Sequence, residues 1–532
     1  MRRGNDSWNL ILGFPLIAVS RFLLVSLNID SILQESTIYQ RKERLRKMGD
    51  GSGLEDAYSA TIERIKAQGG GNRRLAMDAL MWVSHAERPL MADELCHALA
   101  VELGSTNFNA ENVPSMSTLI SCCQGLITVD KEASTVRLIH FTLKEYLSAR
   151  IDMFGRPHSA MAEICLTYLN LEEVKALSAV PAPHIFRTSF LRYCSRNWGV
   201  HANRELSDHA RSLTLHLLQE YDGHISAKSL LEQIGYTNSE DSVASFRFSG
   251  LHCASFFGIV EIVALFIEGG NCDINEEDLW GNTPLTWATT NGHEGAVKAL
   301  LRLAEVNPDK PNGYGLTPLL IAAHNGYAGI VKILLERCEV NPDRADSFGG
   351  TPLQNTSRGG YEQIVKALLT REEVNPNKPN NQGSTPLLLA AQYRHEDVVE
   401  ILLGREEVNP EKPDNYGRTP LQNAALGGHE GIVKALLARE EVDPDRPDNH
   451  GSTPLSIAAQ YGHENMVEIL LRREVNPEKP DNYGGTPLQN AALGGHEGII
   501  KALRAKKSTP TGQTITVVHR SRLLLSMDMK VW

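Results

Sequence analysis

The sequence predicts a mainly α protein: a solenoid of short helical repeats, preceded by a small helix-and-hairpin domain and a helical connector. Three observations carry that prediction. Thr-Pro-Leu recurs at Thr283, Thr317, Thr351, Thr385, Thr419, Thr453 and Thr486, in steps of 34 residues with a last step of 33. Leu251 lies one step further upstream and opens a degenerate first copy, so eight units fill residues 246–504. A fixed period of this length marks a solenoid, in which no unit can bury its apolar face alone. Residues 71–150 read as three helices and a hairpin, and residues 151–245 are apolar enough to pack but have no period.

In residues 1–70, Arg2 and Arg3 precede an apolar run from Leu10 to Val19 that imitates a signal peptide. Gly13 and Pro15 interrupt it, and Arg21 blocks a span of membrane length, so neither signal nor membrane anchor is expected. Phe22, Leu23, Leu24, Leu27, Ile29 and Ile32 fit one amphipathic helix. The basic run Arg41 to Lys47 and a second helix, Leu54 to Ile65, follow. The pattern resembles the end of a NACHT-type signalling ATPase of the kind fused to repeat arrays in fungi. That family's phosphate-binding loop is absent: no G-x-x-x-x-G-K-[ST] occurs, and Gly69 to Gly71 lead only into Asn72 and two arginines. Without a lysine and a backbone cradle, no nucleotide is expected to bind this chain.

Leu75, Met77, Leu80 and Val83 mark the first helix of the next unit, and a second follows Arg88-Pro89-Leu90 with Leu95, Leu99 and Leu103 facing inward. A third covers Ser115 to Cys123. Leu126–Val129 and Val136–His140 form a hairpin, and Leu143–Leu147 a closing helix. This is a winged-helix arrangement. Arg88-Pro89-Leu90 and Ile139-His140-Phe141-Thr142 resemble the winged-helix domain named for GPI inositol-deacylase, which follows NACHT in such fungal proteins. A DNA-reading helix needs basic and amide side chains, yet Ser115–Cys123 has no basic residue and the second helix is acidic at Asp93, Glu94 and Glu102. No nucleic acid partner is expected, and His140 reads as a hydrogen-bonded structural histidine.

In the connector, Ala160–Leu169, Phe190–Trp198 and Asp208–Tyr221 read as helices. Arg-Asn-Trp-Gly at Arg196–Gly199 resembles a motif seen just before repeat arrays in the same proteins, which implies that the connector caps the first repeat. The tail, residues 505–532, breaks the period and carries apolar runs at Ile515–Val518 and Leu523–Leu525.

One repeat is legible from Asn415 to Pro444. Thr419 is a hydroxyl N-cap, and Pro420 stands at the first helical position, where a missing N–H costs nothing. Leu421, Ala424 and Ala425 form a narrow apolar stripe, and Gly427-Gly428 stops the helix. Ile432, Val433, Leu436 and Leu437 define a second helix, after which Val442-Asp443-Pro444 opens a polar finger. Thr-Pro-Leu, Ala-Ala, Gly-His (Gly428-His429, Gly462-His463) and Ile-Val-Lys with Leu-Leu resemble the ankyrin repeat family. That resemblance implies L-shaped units stacked into a curved array whose concave face binds proteins. Thr-Pro-Leu-Gln-Asn units (Thr351, Thr419, Thr486) alternate with Thr-Pro-Leu-Leu or Thr-Pro-Leu-Ser units (Thr317, Thr385, Thr453), as duplication in pairs would produce. Arg394 replaces the stop glycine found at Gly292, Gly326, Gly360, Gly428, Gly462 and Gly495, which predicts a strained residue. Thr356 and Ser357 bring hydroxyls to the Ala-Ala position.

A net charge of −11 argues against a general nucleic-acid or anionic-membrane binder. Eight cysteines without C-x-x-C spacing read as reduced thiols of a cytoplasmic protein. No G-x-S-x-G, H-E-x-x-H or Cys-His signature occurs; His293, His429, His463 and His496 recur beside the turn glycine and read as structural. No enzyme activity, catalytic residue, metal or cofactor is expected. The expected partner is a protein of unspecified identity.

The residue three before each Thr is Trp280, Tyr314, Phe348, Gln382, Tyr416, His450 and Tyr483, mostly large aromatics at finger tips. Stacking would align them as a ridge. The family resemblance puts this position on the concave face, together with the first-helix ends His324, Arg358, Gln392, Tyr393, Gln460 and Tyr461. Two readings stand: the rings bind a partner as interface anchors do, or each packs on its neighbouring finger.

Overall fold

The computed structural model describes residues 37–40, 54–179, 189–236, 246–270 and 272–507. The expectations for the runs at residues 10–19, 22–32, 41–47, 515–518 and 523–525 lie outside the described residues. The chain divides into two compact units, residues 1–313 and 314–532.

In the N-terminal unit, α1 (Leu54–Lys66) buries Tyr58, Ile62 and Ile65 at helical spacing. Trp82 of α2 (Gly70–His85) is fully buried and meets Phe190 and Tyr193 edge-on, each at 5.7 Å between ring centroids. The chain continues through β1 (Leu90–Met91), α3 (Ala92–Ala100), α4 (Met116–Cys122), β2 (Ile127–Asp130), β3 (Thr135–Leu138) and α5 (Phe141–Ser148). The antiparallel sheet has the order β1-β3-β2, with Leu90 opposite Val136 and Ile127 opposite Leu138. The strand β1 is an addition to the expected hairpin; two residues are too few to show an alternation. Leu103 does not face inward. The helix α3 ends at Ala100, and Leu103 is 53% exposed. Nor is Glu94 part of an acidic face: it is buried, receives two hydrogen bonds from Arg88 (2.7 and 2.6 Å), and accepts from Met91 N–H at 2.9 Å. His140 caps α5, its Nδ1 lying 2.8 Å from Thr142 Oγ1.

The connector consists of α6 (Pro157–Leu169), α7 (Glu172–Ala176), α8 (Ser189–Arg204), α9 (Asp208–Gln219) and α10 (Ile225–Gln233). Fully buried Trp198 meets Phe257 of the first repeat at 5.1 Å. Two glycines make that approach possible: a Cβ on Gly199 would strike the Phe257 ring, and one on Gly250 the Leu218 carbonyl. The first two repeats (helices Gly250–Phe257 with Val260–Gly269, and Pro284–Thr290 with Glu294–Leu301) belong to this unit.

The C-terminal unit holds the other six repeats, from Pro318 to Lys507, each two antiparallel helices and a finger. Thr317, Thr351, Thr385, Thr419, Thr453 and Thr486 each accept the N–H three residues on, and proline follows at the first helical position. Ala424, Ala425, Ile432, Val433 and Leu436 are fully buried between neighbours. Each buried Leu or Ile contributes about 2 kcal/mol of transfer free energy, most of it available only once the adjacent repeat is in place. The stop residues Gly326, Gly360, Gly428, Gly462 and Gly495 have φ between 69° and 78°; Arg394 adopts the same left-handed backbone at 66°. Thr356 and Ser357 are fully buried: Thr356 donates to Leu353 O at 3.0 Å, and Ser357 Oγ has no partner.

Six of the eight cysteines are buried, Cys272 is half-buried and Cys338 exposed; all are free thiols. Among the described residues no helix is long and apolar enough to cross a membrane.

Candidate protein-binding surface

The fingers of the C-terminal unit are built the same way each time. Asp346 Oδ1 accepts from the N–H groups of Phe348 and Gly350, both at 2.8 Å, which folds the tip into a tight turn. Asp414, Asp448 and Asp481 repeat this at Tyr416, His450 and Tyr483, and Asn380 does so at Gln382. A left-handed glycine follows each of these tip residues; at Gly349, Gly383, Gly417 and Gly451 a Cβ would collide with an asparagine of the next finger.

Those asparagines link the fingers into a ladder. Asn415, Asn449 and Asn482 donate from Nδ2 to the backbone oxygens of Asn381, Asn415 and Asn449, at 2.9, 3.0 and 3.0 Å. Their own N–H groups donate to the preceding tip carbonyls, those of Gln382, Tyr416 and His450. Lower on the fingers, Lys378, Lys412, Arg446 and Lys479 each donate to a backbone carbonyl of the preceding finger. These cations hold the stack together and do not form a basic strip.

The tip rings stand largely in solvent, with the Arg418 guanidinium 5.8 Å from the centre of the Tyr416 ring. Tyr314, Phe348, Tyr416 and Tyr483 are 61, 80, 60 and 83% exposed, and Gln382 and His450 are also exposed. Trp280, in the N-terminal unit, differs: it is half-buried, stacked on Phe246 and edge-on to Tyr236 at 5.1 Å. The connector has covered it. His324, Arg358, Gln392, Tyr393, Gln460 and Tyr461 are all exposed at the ends of their first helices. His395, His429, His463 and His496 place Nε2 2.9–3.2 Å from the carbonyls of Arg358, Gln392, Leu426 and Gln460, one repeat back. Each imidazole thus ties a helix end in place.

The glutamines that mark alternate repeats also have a task that sequence reading missed, although the alternation was its visible signal. Gln354 accepts from Thr351 N–H at 2.8 Å and donates to the Lys378 and Ser384 carbonyls of the next finger; Gln422 does the same one pair later. They lock cap and finger together.

One cluster has metal-ligand composition. Glu87, His158 and His201, far apart in sequence, bring ligand atoms within 4.8 Å of one another in the N-terminal unit. Arg204 already pairs with Glu87, the two Nδ1 atoms share a hydrogen bond of 2.9 Å, and His201 Nε2 lies 2.9 Å from Tyr193 Oη. Burial pushes His201 down to about 3, so its imidazole is neutral and is held by hydrogen bonds between His158 and Tyr193.

Rigid helix pairs stacked in register, presenting exposed side chains from finger tips and helix ends, define a repeat protein built for interaction. Residues 215–515 match the family of ankyrin repeats in overlapping stretches of three copies, more than half of the chain. The protein belongs to the ankyrin repeat family. Residues 63–162 match the winged helix domain of GPI inositol-deacylase. A search of curated proteins returned no match.

Proposed function

We propose that the six repeats of the C-terminal unit bind a protein partner along Tyr314, Phe348, Tyr416 and Tyr483, flanked by Tyr393 and Tyr461. One observation carries the reading: aspartate turns and the asparagine ladder fix the tips, while the rings they present stay more than half exposed. Large aromatics with few rotors supply contact area at low entropic cost. In this reading the protein is a cytoplasmic, non-enzymatic scaffold, and the winged-helix match supports a NACHT-type context. It would then be part of a fungal NLR-like non-self-recognition receptor. A second reading rests on the same match: a nucleotide-dependent signalling ATPase whose phosphate-binding loop is encoded upstream of Met1. An in-frame G-x-x-x-x-G-K-[ST] in the upstream genomic sequence would select it.

The test is a quantitative pulldown with the full chain and with the Tyr314→Ala/Phe348→Ala/Tyr416→Ala variant. Proteins retained by the first and lost by the second support the ridge; identical captures contradict it.

A further inference from the structure

Arg394 occupies a position where the other seven repeats have a left-handed glycine, from Gly258 to Gly495. A side chain there costs backbone strain, and strain of this kind persists at sites where the side chain is used. The side chain is exposed, and no carboxylate pairs with it among the described residues. Its sequence neighbour Tyr393 is 43% exposed, and the Arg358 guanidinium, one repeat back, lies 5.2 Å from the centre of that ring. Arg358 likewise has no acidic partner. Other arginines of the unit are neutralised locally: Arg371, Arg405 and Arg446 each pair with a carboxylate. Two unpaired arginines and a tyrosine therefore share one patch, on a chain of net charge −11.

We infer that Arg358, Tyr393 and Arg394 form a subsite for the carboxylates of an acidic polypeptide segment, within the surface assigned above. A guanidinium held against a ring keeps its N–H donors in their plane, where a carboxylate can accept two of them. The neighbouring rings Phe348 and Tyr416 take the apolar side chains of the same segment. This inference rests on the reading of the ridge as a binding surface and adds the chemistry of what binds.

Selection of a random displayed-peptide library on the full chain at low salt tests it. Enriched peptides are expected to carry clustered Asp and Glu beside an apolar residue. Arg394→Gly should weaken their capture about tenfold while raising the melting temperature, a combination that misfolding cannot produce. Arg358→Gln should weaken capture with an unchanged melt. Basic or uncharged peptides whose capture still needs the tip aromatics would overturn the acidic subsite and leave the ridge standing. Acidic peptides held equally by both arginine variants would also overturn it. No enrichment at all would overturn both readings.

Discussion

Arg394 shows what a single residue reveals when a repeat supplies its own controls. The turn beneath it needs φ near 70°, which seven repeats meet with glycine and one with arginine. Replacing Arg394 with glycine removes the Cβ penalty and should stabilise the C-terminal unit by about 1 kcal/mol; a chemical denaturation midpoint that stays put or falls would show a different local backbone. Ser357 makes a similar case through a different force. Its hydroxyl is fully buried and unpartnered where five repeats have alanine. Ser357→Ala should therefore also gain about 1 kcal/mol, the cost of desolvating a hydroxyl without a bond, read by the same titration.

At the scale of elements, caps and stops make the repeat helices legible in the sequence: threonine and proline open the first helix, glycine closes it, and the apolar period does the rest. What stayed hidden has physical reasons. The strand β1 is too short for periodicity, and the buried Glu94 reads as an exposed acid until Arg88 is seen opposite it. The asparagine ladder was present in the sequence as a period, but its meaning depends on the approach of the next finger. Trp280 could not be told from its fellows, because Tyr236 and Phe246 that cover it follow no repeat. The connector carries its own prediction. Burial lowers His201 to about 3 and His224 to about 4, and His224 Nδ1 must stay unprotonated to accept Ser226 N–H at 3.1 Å. Both pKa values fall below the unfolded value near 6.5, so their contribution is full above that pH and is lost as pH drops toward 4. Tryptophan fluorescence reports this, since four of the six tryptophans, Trp82, Trp198, Trp280 and Trp287, are described residues of the N-terminal unit. The midpoint of its thermal transition should fall between pH 7 and pH 5; a flat profile would contradict the buried neutral imidazoles.

For the whole molecule, fold and function class were readable because one motif occurs often enough to average out its local exceptions. The partner was not, since the residues that would choose it are those whose side chains the fold leaves exposed. The chain contains no phosphate-cradling loop, so titration calorimetry with Mg-ATP should show no saturable heat; a micromolar site would contradict that expectation. The central claim is that backbone turns and asparagines hold the finger tips, leaving the rings to a partner. The thermal melt of the Tyr314→Ala/Phe348→Ala/Tyr416→Ala variant, followed by circular dichroism, tests it most directly. The account predicts the helical signal and melting temperature of the unsubstituted chain; a melt that falls by many degrees would mean that the rings hold the fingers themselves.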